Sequence, residues 1–215
     1  MTLPRVDVLV PVLGRPHRVL PTLESIRATA PDAHVLFIPD PDDEAELNAL
    51  RRAGAAFSAH AGGYAAKINY GVRITHAPTI FLGADDLEWH PGWLEACLEH
   101  VDDGAQVVGV NDLCTRRVRR GEHATHFLIT RRYATERTID GSPGPLFEGY
   151  DHSCVDDELV ATARRRGVLV IDSAIVVEHH HAINGRAPDD ETYRKGRARL
   201  EQDRDLFIAR SHLWM

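Results

Sequence analysis

Hydrophobic positions in the first half of the chain follow two alternating patterns. Short runs that are apolar at almost every position are typical of strands buried on both faces of a sheet. They predict strands at 6–13, 35–38, 56–57 and 79–82. Between these runs, apolar residues recur at helical spacing and predict helices at 19–26, 47–50 and 64–74. This alternation indicates βαβ units joined by right-handed crossovers.

The second half is less regular. Helices are predicted from Pro91 to about His100, over 155–166, and from Asp189 to about Ser211. Strands are predicted at 106–110, 168–171 and 174–177, with an antiparallel strand at 125–130. The arginine-rich stretch 115–123 is expected to be an exposed hairpin or flexible loop, and 139–149, rich in Gly and Pro, a loop. The whole pattern predicts a single α/β domain over 1–215, with a mostly parallel central sheet flanked by helices and a smaller antiparallel element in its second half.

Composition and charge narrow the class of protein. The 215 residues are 43% hydrophobic and 27% charged, as in ordinary soluble domains. No run approaches the roughly 18 apolar residues that a membrane span needs, and the start at Met1–Arg5 is unlike a signal peptide. Three cysteines without metal-type spacing indicate free thiols, so we expect a cytoplasmic protein. The net charge of −7 argues against wholesale coating of nucleic acid.

Two apolar runs end in side chains that bind metals. Asp85 and Asp86 follow the run at 80–82, and His179 and His181 follow the run at 175–177. Because ligands bind at the carboxyl ends of strands in α/β sheets, we predict that these ends share one divalent-metal site. His180 points to the opposite face of the strand and is left out of the set. The alternative for Asp85 and Asp86 is a solvated turn.

The chain lacks both common phosphate-binding fingerprints, GxGxxG and GxxxxGK[ST]. Gly62 and Gly63 precede a helix that carries Lys67, and a helix N-terminus beside a lysine suits a diphosphate. Asp40, at the end of the second strand, has the chemistry to accept hydrogen bonds from a base or ribose. The alternative for Lys67 is an ordinary exposed lysine without a ligand, and the alternative for Asp40 is an aspartate that only stabilises a turn.

A second carboxylate pair begins the helix at 155–166. Asp156 and Asp157 lie in its first turn, where the helix dipole keeps a carboxylate ionised. A carboxylate placed there can accept a proton from a hydroxyl group. The alternative is simple capping of the helix.

Taken in order, these segments resemble the family-2-like glycosyltransferases with the GT-A fold. The resemblance covers roughly residues 6–182, and its individual motifs are short. The segments that carry it are Val8–Pro16, Asp40, Lys67–Gly71, Phe81–Asp86 with Pro91–Leu94, Asp156–Leu159 with Arg164 and Gly167, and His179–His181.

The resemblance implies an enzyme that moves a sugar from a nucleoside diphosphate sugar, most simply a UDP-sugar, to a hydroxyl acceptor with inversion. It implies donor contacts by Pro11, Arg15, Asp40, Lys67 and Asp85, with Mn²⁺ or Mg²⁺ held by Asp85, Asp86, His179 and His181. It implies Asp156 as the base, with Asp157 second, because Asp156 has the family's spacing to Glu158. The chain then divides into a nucleotide-binding half (1–86), an acceptor and catalytic half (87–187) and a C-terminal helix (188–215).

Three features depart from the family pattern. Gly83 replaces the first aspartate of the usual Asp-x-Asp motif, the acidic helix start is Asp-Asp rather than Glu-Asp, and 111–150 matches nothing in the family. The acceptor therefore stays open between a glycan, a protein, a lipid-linked sugar and modified DNA. Arginine clusters at 116–120, 131–132 and 164–166 are compatible with a polyanionic acceptor.

Three other classes compete with this interpretation. A nucleotidyltransferase would want a glycine-rich basic loop after the first strand, where only Gly14–Arg18 stands. A metallohydrolase built on the histidines lacks an HExxH or comparable signature. A non-catalytic nucleic-acid-binding module would use the arginine clusters and bind with steep salt dependence. Separately, we expect 139–152 to be a lid that orders on ligand binding, since few of its side chains can anchor it.

Overall fold

The computed structural model describes residues 4–215, and in that part of the chain seven strands form one sheet. The strands are β1 (Val6–Pro11), β2 (His34–Ile38), β3 (Thr79–Leu82), β4 (Leu87–Trp89), β5 (Val107–Asn111), β6 (Phe127–Thr130) and β7 (Leu169–His179). Their order across the sheet is β2-β1-β3-β6-β5-β7-β4. Strands β1, β2, β3, β5 and β7 run in one direction, whereas β6 and β4 are antiparallel to their neighbours. The predicted mixed sheet is confirmed.

Helices cover both faces of this sheet. They are α1 (Val19–Thr29), α2 (Glu44–Ala53), α3 (Tyr64–Ile74), α4 (Trp93–Asp102), α5 (Arg116–Arg119), α6 (Arg131–Thr135), α7 (Val155–Arg165), α8 (Glu191–Ala198) and α9 (Leu200–Arg210). Short 3₁₀ turns lie at Ala182–Asn184 and Ser211–Leu213.

Each strand of the centre is buried on both sides, which explains its continuous apolar run. In β1, Val8 and Val10 pack into a core layer with α1, α2 and α4. Leu9 faces the other way and packs with α3 and α7. The alternation of side chains along one strand therefore feeds two separate core layers.

Several elements differ from the sequence prediction. The expected strand at 56–57 is a single bridge, Phe37 to Phe57, although the segment follows β2 with further backbone hydrogen bonds. The two strands expected between 168 and 177 are one bent strand, whose pairing with β5 shifts between Gly109 and Asn111. The arginine-rich stretch contains a short helix, α5, because the Thr115 hydroxyl accepts a hydrogen bond from the Val118 N–H. Strand β4 and helix α6 have no counterpart in the prediction.

The C-terminal region is two helices rather than one. Helix α8 ends at Ala198 and α9 starts at Leu200. Gly196 lies so close to His152 that an added Cβ would come within 2.6 Å of its ring, which holds α8 against the loop before α7. Asp203 in α9 binds the same loop from another direction. The chain bends between the two helices to make both contacts.

The expectation that few side chains of 139–152 can anchor it is wrong, because Asp140, Phe147, Glu148 and Tyr150 all contact other elements. That the segment orders on ligand binding stays a prediction. Side chains of other elements also hold its backbone. Asn69 of α3 donates to the Leu146 carbonyl and accepts from the Leu146 N–H. Asp203 accepts hydrogen bonds from three consecutive backbone N–H groups, those of residues 151–153. The Arg210 guanidinium stacks on the Phe147 ring at 3.4 Å.

Candidate functional site

A cavity of about 580 Å³ opens at one end of the sheet. Pro11 ends β1, Asp85 follows β3, and His179 ends β7, so three parallel strands point their carboxyl ends at it. Strand β6 runs the other way, and the residues just before it, Thr125 and His126, lie at the same edge. The cavity is therefore at the ligand-binding end that α/β topology favours.

The structure brings almost all of the predicted site residues to this cavity. Its walls include Pro11, Arg15, Lys67, Asp85, Asp86, Asp156, Asp157, His179 and His181. Asp40 lies behind Lys67, with 3.3 Å between its Oδ1 and the lysine Nζ. Lys67 also donates to the Val12 carbonyl at 2.8 Å, so its ammonium group is a buried link between α3 and the end of β1.

Arg15 bridges the first carboxylate pair. Its Nη1 lies 3.2 Å from Asp85 Oδ1 and 3.2 Å from Asp86 Oδ2, and the guanidinium is buried. The same group binds Asp190, just before α8, at 2.8 Å and stacks on the Tyr193 ring at 4.0 Å. The fixed positive charge of Arg15 thus offsets part of the repulsion between two buried aspartates.

Asp190 and Tyr193 are site residues that the sequence analysis missed. The Tyr193 hydroxyl lies 2.8 Å from Asp86 Oδ2 and 2.9 Å from the His180 carbonyl oxygen. Their only sequence signal is the helix N-cap, in which Asp190 accepts from the Tyr193 N–H. Nothing in that signal indicates that this helix packs over the cavity.

The carboxylate pair fits a divalent cation. Asp85 Oδ2 is buried and has no hydrogen-bond partner. Burial, and then repulsion from Asp86, raise the pKa of the Asp85 carboxyl well above its usual range. A buried carboxylate oxygen without a partner is costly, and a cation bound there would remove that cost. Oxygen ligands of this kind suit Mg²⁺ or Mn²⁺.

The two predicted histidines at the end of β7 have pKa values that are shifted in opposite directions. His179 lies between two carboxylates, with Nε2 3.2 Å from Asp86 Oδ1 and Nδ1 3.6 Å from Asp112 Oδ2. Burial alone would lower its pKa, but Asp86 and Asp112 raise the pKa of His179 to about 9. Burial and the neighbouring His179 lower the pKa of His181 to about 4, so its ring is neutral.

Backbone hydrogen bonds fix this strand end between its neighbours. The His179 N–H donates to the Asp112 carbonyl at 2.9 Å, and the His180 N–H donates to the Asp86 carbonyl at 2.8 Å. The His180 side chain turns away from the cavity to Glu88, at 2.8 Å. The predicted alternation of faces along the three histidines is therefore present in the structure.

Asp112 and His126 were also missed, although Asp112 carried a signal. It follows the apolar run of β5 just as Asp85 follows β3. Asp112 is fully buried, and its carboxylate accepts hydrogen bonds from the Thr125 hydroxyl and the Cys114 N–H. One donor atom from each of Asp112, His126 and His179 lies within 4.8 Å of the others.

The second carboxylate pair lies across the cavity and shares a buried histidine. His123 Nε2 is 3.1 Å from Asp156 Oδ2 and 3.8 Å from Asp157 Oδ1. Burial, followed by repulsion from Asp156, raises the pKa of Asp157. His123 precedes β6 in the stretch that matched no motif, so the sequence analysis did not single it out.

Comparisons with known proteins place the chain in a family. The model of the glycosyl transferase family 2 matches residues 7–155, which is well over half of the chain. The chain belongs to glycosyl transferase family 2. This membership confirms the family that the sequence resembles. No curated protein has a matching sequence.

Solved structures of glycosyltransferases share the fold of this family member. A mannosyltransferase from Pyrobaculum calidifontis, in complex with GDP-Man and Mn²⁺, superposes with a TM-score of 0.70 at 16% identity over 97% of this chain. This chain spans 65% of that protein's length. Glucosyl-3-phosphoglycerate synthase from Mycobacterium tuberculosis, in complex with Mn²⁺, UDP and phosphoglyceric acid, gives 0.61 at 15% identity, over 92% of this chain and 78% of that one.

In residues 4–215 of this family 2 glycosyltransferase, every helix falls short of the length and apolar character that crossing a bilayer requires.

Proposed function

We propose that this enzyme binds a nucleoside diphosphate sugar in the cavity and transfers the sugar to a hydroxyl group with inversion. The observation that carries the proposal is the placement of the two carboxylate pairs, Asp85–Asp86 and Asp156–Asp157, in the walls of one cavity of about 580 Å³. One pair serves the leaving diphosphate and the other serves the acceptor. The related mannosyltransferase and synthase were solved with GDP-Man and with UDP, and we favour a UDP-sugar here.

The donor's diphosphate needs positive charge. A Mn²⁺ or Mg²⁺ ion held by Asp85, Asp86 and the neutral His181 would offset the charge that the leaving group gains. The sequence prediction also gave His179 to this ion. In this structure Arg15 forms ion pairs with the carboxylates of Asp85 and Asp86. We propose that Arg15 turns to the diphosphate when the cation takes over Asp85, with Lys67 and Pro11 lining the nucleotide side.

The acceptor's proton goes to the other pair. As the acceptor oxygen bonds to the anomeric carbon, the bond from that carbon to the diphosphate oxygen breaks, and the hydroxyl proton passes to a carboxylate. We assign Asp156 as this base because His123, 3.1 Å away, fixes its orientation. Asp157 is then available to orient the acceptor hydroxyl.

The acceptor is proposed to carry negative charge. Arg204 lines the cavity. Arg117 is close enough to the second carboxylate pair for its charge to favour the ionised form of Asp157. The related glucosyl-3-phosphoglycerate synthase was solved with phosphoglyceric acid, which is an anionic molecule. A cytoplasmic location is part of the proposal, supported by three cysteines that are all free thiols.

Calorimetry with UDP, GDP and their sugars, with and without Mn²⁺, tests the donor. We expect Mn²⁺-dependent binding of a UDP-sugar and release of free UDP on turnover. Asp85→Asn should lose the Mn²⁺ dependence, whereas Asp42→Asn, a matched change at an exposed aspartate, should not. Absence of Mn²⁺-dependent binding for every nucleotide would overturn the donor assignment. Tight GDP binding without UDP binding would overturn only the choice of base.

A further inference from the structure

The ring of His126 is held in a state suited to binding a metal. It is 6% exposed, and its Nδ1 lies 3.4 Å from the Leu82 carbonyl oxygen. A carbonyl can only accept, so Nδ1 carries the proton and Nε2 keeps its lone pair. Nε2 is buried and has no hydrogen-bond partner.

Two further donors meet His126 at this point. Asp112 is fully buried, and its Oδ2 lies 3.6 Å from His179 Nδ1. The three residues each place one donor atom within 4.8 Å of the others. Acidic clusters on a protein surface are common without a metal, but here a buried carboxylate faces one buried and one partly buried imidazole. Small shifts bring such atoms to the spacing of ligands around one ion.

The surroundings also match those of metal-bound histidines. Such histidines almost always donate their other ring N–H to a carboxylate or a backbone carbonyl. His126 has the Leu82 carbonyl in that position, and His179 has Asp86 Oδ1, 3.2 Å from its Nε2. The Asp112 carboxylate is oriented in turn by the Thr125 hydroxyl and the Cys114 N–H.

We propose that Asp112, His126 and His179 form a metal site separate from the donor's cation at Asp85, with Asp112 Oδ2, His126 Nε2 and His179 Nδ1 as ligands. The ion takes the place of the proton between His179 Nδ1 and Asp112 Oδ2, which is released to solvent on binding. Two imidazoles and one carboxylate favour Zn²⁺, or Co²⁺ as its probe, over Mg²⁺. His126 and His179 line the cavity, which gives the ion an entry path. The site does not depend on the proposed donor or acceptor.

Titration of the full-length protein with Zn²⁺ alone, followed by calorimetry and by the rise in Tm, tests the site. We expect one tightly bound Zn²⁺ and a higher Tm. His126→Gln should weaken Zn²⁺ binding by about 100-fold or more, since it loses a direct ligand where even outer-shell changes cost about 10–100-fold. The glutamine side-chain NH₂ can still donate to the Leu82 carbonyl, as His126 Nδ1 does in the parent. Asp112→Asn should act in the same direction.

Two controls keep the outcome unambiguous. His123→Gln changes another buried histidine near the cavity and should leave Zn²⁺ affinity unchanged. Asp85→Asn should remove the Mn²⁺ dependence of nucleotide binding yet retain Zn²⁺. If Asp112→Asn fails to fold, His126→Gln decides. No tight Zn²⁺ binding by the parent, unchanged binding by His126→Gln, or loss of Zn²⁺ in Asp85→Asn would each overturn the site.

Discussion

Asp156 and Asp157 are neighbours in sequence with different surroundings. His123 contacts Asp156 at 3.1 Å and lies 3.8 Å from Asp157, whose pKa burial raises. On a helix the two side chains point about 100° apart, so only one can face the donor's anomeric carbon.

Asp156→Asn keeps the size of the side chain and removes its basic lone pair. We expect transfer to fall by roughly 10²-fold or more, the usual scale for a general base. Donor and Mn²⁺ binding, measured by calorimetry, should persist, and Asp157→Asn should cost less. A normal rate in Asp156→Asn with a loss in Asp157→Asn would exchange the two roles. Normal rates in both would remove the inverting mechanism.

His123 acts on this chemistry through Asp156. In His123→Gln we expect kcat to fall about 10-fold, near the lower end for a hydrogen bond to a charged group. The KM for the donor should stay unchanged. His17→Gln, at an exposed site, is the control. An unchanged kcat, or a fall in kcat matched by a higher KM for the donor, would contradict this role.

At the scale of elements, Asp203 joins α9 to the segment that precedes α7. Its buried carboxylate accepts from the N–H groups of residues 151–153 at 2.7–3.0 Å. These residues also lie in the cavity wall directly before the second carboxylate pair. The C-terminal helices therefore set the position of the proposed base.

Asp203→Ala leaves three N–H groups without their acceptor. We expect a loss of about 1–3 kcal/mol in the free energy of unfolding, because the three N–H groups are only partly buried and water can replace part of the lost hydrogen bonding. Urea denaturation measures the change, and limited proteolysis should show earlier cleavage in 139–153. Asp205→Ala, at an exposed aspartate of the same helix, should behave as the parent. Equal stability of both variants would show that this anchor is dispensable.

The periodicity of apolar residues predicted the elements that bury a whole face. It failed for elements that are too short to show a pattern or that are positioned by contacts with distant residues. Strands β1 to β3 and helix α3 are visible because continuous or helical apolar patterns follow directly from two-sided burial. Strand β4 has three residues, too few for a pattern. Asp190 and Tyr193 enter the site only because α8 folds back on it, which depends on contacts with distant residues.

The whole molecule also has a charged cluster at the other end of its strands. Asp7, buried in β1, accepts from His34 Nδ1 at 2.8 Å, the Ala77 N–H at 2.7 Å and Arg131 Nη2 at 2.8 Å. His34 is the cross-strand partner of Asp7 in β2. The hydrogen bond to Asp7 raises the pKa of His34 above its usual value. One carboxylate thus links several elements far along the sequence.

The raised pKa of His34 makes part of the stability pH-dependent. Its contribution is fully present below the unfolded-state value of about 6.5 and is lost as pH rises through the higher folded-state pKa. The difference in Tm between the parent and His34→Gln should therefore be larger at pH 6 than at pH 8.5. Thermal unfolding at both values, with His17→Gln alongside, measures it. A constant difference between the two pH values would show that His34 titrates alike in both states.

The two borders of the sheet have a consequence for how the molecule behaves in a concentrated solution. Along β2, the segment at 56–60 already uses backbone groups: the Phe37 N–H donates to the Ala56 carbonyl, and the Ser58 N–H to the Phe37 carbonyl. At the opposite border, β4 has only three residues, and its central side chain is the charged Glu88. A strand from another copy finds few unpaired backbone groups at either border. Edge-to-edge growth into aggregates is therefore disfavoured while the sheet is intact.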